Sequence, residues 1–95
     1  MNDKDKQNLI RTIKKHLPSC EIYLFGSRAM GTERHYSDID LAIKTSCHIE
    51  HSILNLINED IEILNIPFFV DIVDYHAVYD EMRTFIDKTG ILWSK

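Results

Sequence analysis

Hydrophobic residues near the N-terminus recur at the spacing of one helical face. The stripe consists of Leu9, Ile10, Ile13 and Leu17. Asp3 precedes it and is a candidate cap, and Pro18 cannot continue a helix after it. The pattern therefore predicts a first helix from Asp3 to about Leu17.

Two strand-like segments come next. Residues 21–25 (EIYLF) are mostly apolar or aromatic and lead into the turn pair Gly26-Ser27. Residues 28–37 are polar, and we expect a short helical turn followed by a loop. Residues 38–44 (DIDLAIK) alternate acidic or small side chains with large aliphatic ones, which predicts a second strand with one buried face.

The second half of the chain also contains helix-like and strand-like patterns. Apolar residues from His48 to Leu64 have helical spacing and predict a second helix. Residues 68–73 (FFVDIV) predict a third strand. Residues 78–88, with Gly90 after them, predict a third amphipathic helix that ends near a glycine. Ile91-Leu92-Trp93 is expected to be a short apolar tail, whose tryptophan could pack on the domain or on a partner.

The predicted order is helix, strand, strand, helix, strand, helix. It indicates an α/β (α+β) domain in which a small mixed β-sheet has helices packed on one face. Alternation along the second strand separates its large aliphatic side chains from Asp38 and Asp40. The aliphatic face belongs under the helices, so both aspartates project from the uncovered face. Asp71 of the third strand would join them if the two strands are neighbours.

Composition favours one small globular domain over residues 1–95. Hydrophobic residues make up 44% of the chain and charged residues 27%, enough apolar surface to offset the entropy of ordering. No apolar stretch has the length of a membrane span, and the N-terminus does not resemble an export segment. Cys20 and Cys47 are isolated, which predicts neither a disulfide framework nor a zinc site. The cytoplasm is the expected compartment.

The net charge of −4 narrows the range of ligands. Direct binding to nucleic acid is not expected, because it depends on several Lys or Arg side chains that neutralise phosphates. A phosphate ligand would need another source of positive charge. A divalent cation held by aspartates would supply it.

Candidate chemistry lies around the Gly26-Ser27 turn and the Asp38-x-Asp40 pair. Two carboxylates at positions i and i+2 of a strand point the same way and can share magnesium, although such pairs are more often solvated. Glycine allows close backbone approach, and the amides at a helix start can bind phosphate. Ser27 adds a hydroxyl donor. Arg28 could bind a phosphate oxygen or be an ordinary surface cation.

These two motifs, GSRAMG at 26–31 and SDIDL at 37–41, resemble the signature of the DNA polymerase beta-like nucleotidyltransferase superfamily. The resemblance is strongest to the minimal nucleotidyltransferase (MNT) antitoxins and extends from the first helix to the C-terminal tail. It implies a palm-like α/β fold, with Asp71 matching a third carboxylate on a later strand. Met30 stands where relatives often have a basic residue.

The resemblance also implies a reaction and a partner. MNT proteins typically pair with a HEPN-type toxin, a helical ribonuclease, and silence it by transferring AMP from ATP to a tyrosine. Asp38 and Asp40 would bridge two magnesium ions, and Asp71 would serve the first ion and could take the acceptor proton. The nucleotide-binding residues would be Gly26, Ser27 and Arg28. The alternatives are an antitoxin that acts by occlusion without catalysis and a transferase for a small molecule such as an aminoglycoside.

Other polar residues have simpler explanations. Asp74 competes with Asp71 for the role of third ligand, but in a regular strand the two face opposite ways. His48 and His51 lie one helical turn apart, and we expect them to be solvated at the start of an exposed helix instead of binding a metal ion. Two residues of the predicted loop, Glu33 and His35, are expected at the surface.

Overall fold

The computed structural model describes residues 1–32 and 38–95. All the predicted helices and strands are present in these residues, with bounds shifted by a few positions. The short helical turn expected after the first strand is present as a four-residue helix, and one element is added, a strand at the C-terminal end. In chain order the elements are α1 (Asp3–His16), β1 (Glu21–Phe25), α2 (Ser27–Met30), β2 (Ile39–Lys44), α3 (His51–Ile63), β3 (Val70–Asp74), α4 (Asp80–Thr89) and β4 (Ile91–Ser94).

The strands form one mixed sheet in the order β3-β2-β1-β4. β1 is antiparallel to both β2 and β4, whereas β2 and β3 are parallel. The parallel pair is possible because α3 crosses from the end of β2 back to the start of β3. The predicted mixed sheet and the α/β class are therefore confirmed.

The main core lies between one face of the sheet and helices α1 and α3. In β2 the alternation has the predicted result, since Ile39, Leu41 and Ile43 are fully buried on this face. Leu9 and Ile13 of α1 pack against them, together with residues of α3. Trp93 also packs on this cluster, with the ammonium of Lys6 5.5 Å from its ring centroid.

Helix α4 corrects the prediction that the helices share one face. Its Ile86 packs with Phe25 and Ala42, which project from the opposite face of the sheet. The reason is that this face is also apolar at Tyr23 and Val73, so it needs a cover of its own. The sheet therefore has helices on both sides, α1 and α3 on one and α4 on the other.

The C-terminal segment is a strand and not the predicted tail. Leu92 pairs with Tyr23 and Ile91 with Leu24, along the edge of β1 that β2 leaves open. Three apolar residues are too few to establish a period, so the strand forms because the sheet edge offers hydrogen-bonding partners.

The cap of α1 also differs by one residue from the prediction. Asn2 is the cap, and its side-chain oxygen accepts a hydrogen bond from the N–H of Asp5 at 2.8 Å. Asp3, the predicted cap, is the first residue of the helix, where its negative charge suits the positive end of the helix dipole.

Two general expectations can be compared with the structure. In the described residues, no helix is long and apolar enough to cross a membrane. Cys20, which is buried, and Cys47, which is exposed, are both free thiols.

The position of α4 predicts that one of its side chains is critical for folding. Ile86 is 2% exposed, so Ile86→Ala should lower the free energy of unfolding by about 2–4 kcal/mol through lost burial and a cavity. Met82 lies on the same helix but is 38% exposed, and Met82→Ala should cost less than about 1 kcal/mol. Urea denaturation would measure both, and equal losses would contradict the packing of α4.

Candidate active site

The bend between β1 and α2 has a conformation and a contact that both require glycine. Gly26 has φ 78° and ψ −155°, a region that only glycine adopts without strain. A Cβ atom at this position would lie 2.5 Å from Oδ2 of Asp40. The carboxylate of Asp40 is therefore packed directly against the backbone from which α2 begins.

Strand register brings a second carboxylate beside Asp40. In the parallel pairing of β2 and β3, Asp40 is the partner of Asp71. Paired residues on neighbouring strands project to the same face and lie about 4.8 Å apart across the sheet. The adjacency on which the sequence prediction depended is present. Asp38 is exposed immediately before β2 begins.

The three carboxylates interact electrostatically. The pKa of Asp40 lies above its ordinary value, mainly because the side chain is partly withdrawn from water. The negative charges of Asp71 and Asp38 raise this pKa further. Such a concentration of negative charge would be relieved by a bound cation.

The chemistry of these donors fits magnesium, which prefers carboxylate oxygens. In residues 1–32 and 38–95, however, no three or more His, Cys, Asp or Glu side chains already converge closely enough to hold a metal ion. Asp38 and Asp71 are exposed, so their side chains can change rotamer at little cost. Binding would therefore require these two side chains to rotate toward Asp40.

Residues predicted to bind the nucleotide begin α2. Ser27 is the first residue of this short helix, and its carbonyl accepts the N–H of Thr32 at 2.9 Å. The guanidinium of Arg28 lies over the ring of Phe68, 4.4 Å from its centroid. Met30, the residue that departs from the family pattern, is exposed. Both Ser27 and the Gly26 backbone thus lie at the same end of the sheet as Asp40.

Asp74 has a structural role that explains its position. It is only 5% exposed, and its two oxygens accept hydrogen bonds from the N–H groups of Ile49, at 2.8 Å, and His76, at 3.0 Å. Its strand partner is Ile43, which faces the main core. Asp74 therefore faces away from Asp71, as strand parity predicted.

Two histidines that the sequence left unassigned make local contacts. Nε2 of His16 lies 2.6 Å from Oδ2 of Asp60 and links the end of α1 to α3. This hydrogen bond is the main reason that the pKa of Asp60 is lowered. Nε2 of His76 lies 2.7 Å from the carbonyl oxygen of Thr45. Both histidines connect elements of the fold.

The remaining candidates are peripheral or outside the described residues. His51 begins α3 and His48 precedes it, and both are exposed, as expected. They are not part of a metal-binding group in the described part of the chain. Three residues singled out in the sequence lie in 33–37, outside the described residues: Glu33, His35 and Ser37.

Sequence reasoning missed a groove that begins at Asp71. It has a volume of about 540 Å³ and runs along the end of α3 and the segment leading into β3. Its polar residues include Glu62 and Asn65, and Phe69 is exposed beside them. One signal was available, because Phe68 and Phe69 were neighbours in the predicted strand, where adjacent side chains face opposite ways and cannot both enter one core.

Comparison with known families defines the class of protein. Residues 7–94 match the family described as "Polymerase beta, Nucleotidyltransferase". The match covers most of the chain, and the chain therefore belongs to this nucleotidyltransferase family.

Individual relatives agree with this assignment. The chain is 28% identical over 85 residues to the "Probable protein adenylyltransferase MntA" of Haemophilus influenzae, covering 88% of this chain and 75% of the relative. A crystal structure of a toxin-antitoxin with AMP-PNP matches with a TM-score of 0.76 and 24% identity, over 93% of this chain and 71% of that chain. A structure of a tri-AMPylated Shewanella oneidensis HEPN toxin in complex with MNT antitoxin matches with a TM-score of 0.74 and 21% identity, over 98% of this chain and 71% of that chain. These structures share the fold.

The raised pKa of Asp40 predicts a stability effect in the metal-free protein. This carboxyl favours folding fully below its unfolded-state pKa, and that contribution is lost as pH rises through the higher folded-state pKa. At neutral pH the ionised side chain therefore opposes folding. Asp40→Asn should raise the thermal midpoint measured in EDTA at pH 7, with a smaller gain at pH 4. A lower midpoint at pH 7 would contradict this electrostatic account.

The different surroundings of Asp74 and Asp71 predict different effects of substitution on the free energy of unfolding. Asp74→Asn replaces one accepting oxygen by a donor that faces a backbone N–H, and should cost about 2 kcal/mol of unfolding free energy. Asp71→Asn, at an exposed position, should cost nothing measurable. Urea denaturation in EDTA would compare the two variants, and a large loss in Asp71→Asn would contradict the assignment.

Proposed function

We propose that this chain is an antitoxin that transfers AMP from ATP to a tyrosine hydroxyl of a HEPN-type toxin. The observation that supports it most directly is the position of Asp40, which contacts the Gly26 bend on one side and pairs with Asp71 on the other. This arrangement sets a phosphate-binding turn beside two carboxylates. It is what a nucleotidyl transfer site requires.

The choice of acceptor and partner rests on the relatives. One is named a probable protein adenylyltransferase, and two structures of the same fold are a toxin-antitoxin with AMP-PNP and an AMPylated HEPN toxin with its MNT antitoxin. A protein acceptor, an adenine nucleotide and a hetero-oligomeric complex are therefore proposed together. The cytoplasm, where ATP is available and thiols remain reduced, is the proposed compartment.

Magnesium is proposed as the cofactor, held by Asp38, Asp40 and Asp71. When bound, it would neutralise the carboxylates and the phosphates and lower the pKa of the acceptor hydroxyl. The pKa of Asp40 is raised mainly by burial and further by the charges of Asp71 and Asp38, and a bound cation would offset both effects, which supports this proposal. Two ions are expected by analogy with other sites of this kind.

The protein's own groups account for the rest of the reaction. The N–H and the hydroxyl of Ser27, the first residue of α2, can donate to the triphosphate tail. Arg28 would contribute positive charge at the same place. The acceptor oxygen then forms a bond to the α-phosphorus, and the bond to the pyrophosphate oxygen breaks. Asp71 can accept the proton that the hydroxyl loses.

A transfer assay tests the proposal. The protein would be mixed with magnesium, ATP labelled at the α-phosphate and a HEPN-type toxin encoded beside it. We expect label on the toxin, and a loss of at least about 100-fold in the rate for Asp38→Asn combined with Asp40→Asn. Asp3→Asn, an exposed carboxylate in the first turn of α1, is the matched control and should retain the wild-type rate.

The same variants distinguish catalysis from occlusion. Binding of the toxin by the double variant is measured by calorimetry, and its protection of cells by growth of a strain that expresses the toxin. The enzyme account predicts a complex that assembles but does not protect. Full protection by the double variant, or an unlabelled toxin with the wild-type protein, would contradict it.

A further inference from the structure

The groove beside Asp71, which we call the α3 groove, shares that residue with the three-carboxylate site and extends away from it along the end of α3. Its volume is about 540 Å³. The residues that line it include Asn58, Glu62, Asn65, Phe68, Phe69 and Asp71.

Strand order fixes where this groove lies relative to the proposed phosphate site. The Gly26 bend follows β1, Asp40 lies on the adjacent β2, and Asp71 lies on β3 at the edge of the sheet. The α3 groove continues from Asp71. In strand order Asp40 therefore lies between the Gly26 bend and Asp71, and the side chain of Arg28 reaches from α2 to Phe68 of the groove.

Nucleotidyl transfer places similar demands on the positions of the attacking and leaving oxygens. The attacking and leaving oxygens lie roughly in line on opposite sides of the phosphorus. With the pyrophosphate at the Gly26-Ser27 turn, an acceptor hydroxyl beside Asp71 would lie across Asp40 from it in strand order. The α3 groove includes Asp71 in its lining and could therefore hold such an acceptor.

Charge in the groove favours a cationic occupant. Glu62 contributes negative charge in addition to Asp71, whose own charge a bound cation would offset, and the residues lining the groove include no Lys, Arg or His. α3 ends here with no basic residue in its last turn, so the negative end of its dipole is not offset by a side chain. Arg28 contacts the groove residue Phe68 through its ring face. A second anionic group would bind poorly, and a basic polypeptide would bind well.

An apolar anchor lies in the same groove on a rigid backbone. Phe69 is 69% exposed, although its carbonyl accepts a hydrogen bond from the N–H of Ile39 at 2.9 Å and is thereby fixed to β2. Asn65 turns the chain after α3 with a positive φ of 57°, a conformation that asparagine tolerates. Aromatic side chains, phenylalanine included, are enriched at protein interfaces, and a backbone that is already fixed loses less entropy on binding.

We propose that the α3 groove binds an extended, basic segment of the partner protein, with an apolar side chain against Phe69, and so delivers the acceptor hydroxyl to Asp71. This inference rests on the proposed transfer to a protein. It adds the surface that selects the acceptor and the charge of the segment selected.

Two groove variants and two matched controls test this inference in the full chain. Glu62→Lys and Phe69→Ala should each raise the KM for the toxin about tenfold, because a charge contact or an apolar anchor is lost. Glu59→Lys, an exposed change of the same charge on α3, and Tyr79→Ala, at another exposed aromatic residue, should leave this KM unchanged. The Kd for the magnesium complex of a nonhydrolysable ATP analogue should stay within about twofold in all four variants.

Three results would overturn the inference. Groove variants that match their controls in KM would exclude the groove as an acceptor surface. A Kd for the ATP analogue that rises about tenfold in the groove variants would make the groove a site for the nucleotide base instead. A similar KM change in Glu59→Lys would indicate a general effect of charge.

A peptide assay separates this inference from the proposed reaction. Fluorescent Arg-Arg-Tyr-Arg-Arg and Glu-Glu-Tyr-Glu-Glu peptides would be titrated with the protein in the presence of magnesium and the ATP analogue, and anisotropy recorded. We expect wild-type protein to bind the basic peptide at least about tenfold more tightly than the acidic one, and Glu62→Lys to lose this preference. Failure of the transfer assay alone would reject the proposed function, whereas equal binding of both peptides would reject the groove.

Discussion

The close approach of the Gly26 backbone to the carboxylate of Asp40 is the contact on which the site depends. Any larger residue at this bend would meet the carboxylate, and the backbone conformation is itself one that glycine alone adopts easily. The same carboxylate is aligned with Asp71 by the parallel pairing of β2 and β3. The turn proposed to bind phosphate and a pair of acidic side chains are thereby brought together by neighbouring strands.

The rest of the fold keeps this end of the sheet open. Helices α1 and α3 bury the aliphatic face, and α4 covers the central part of the other face around Ala42. Two aspartates of β3 differ in their surroundings. Asp74 is buried and its oxygens accept hydrogen bonds from backbone N–H groups, whereas Asp71 is exposed. The pKa of Asp40, raised mainly by burial and further by the charges of Asp71 and Asp38, belongs to this open end of the sheet, where a cation could offset the charge.

Local periodicity predicted most of the helices and strands. It failed where contacts between distant parts of the chain determine the structure. The alternation in residues 38–44 gave the buried and polar faces of β2 correctly, and parity separated Asp71 from Asp74. Neither pattern could reveal that β1 has an open edge for Ile91 and Leu92, or that a second apolar face needs α4. The α3 groove was missed for the same reason, because its residues come from a helix end and a strand start that meet only in the folded chain.

The central claim is that Asp40 and Asp71 bind a cation together with the nucleotide. Calorimetric titration of a nonhydrolysable ATP analogue into the protein, repeated over a series of magnesium concentrations, tests it most directly. The account predicts affinity that increases with magnesium for the wild-type protein and does not change with magnesium when both residues are asparagine. Magnesium-independent affinity in the wild-type protein, or an unchanged magnesium dependence in the Asp40→Asn and Asp71→Asn double variant, would contradict it.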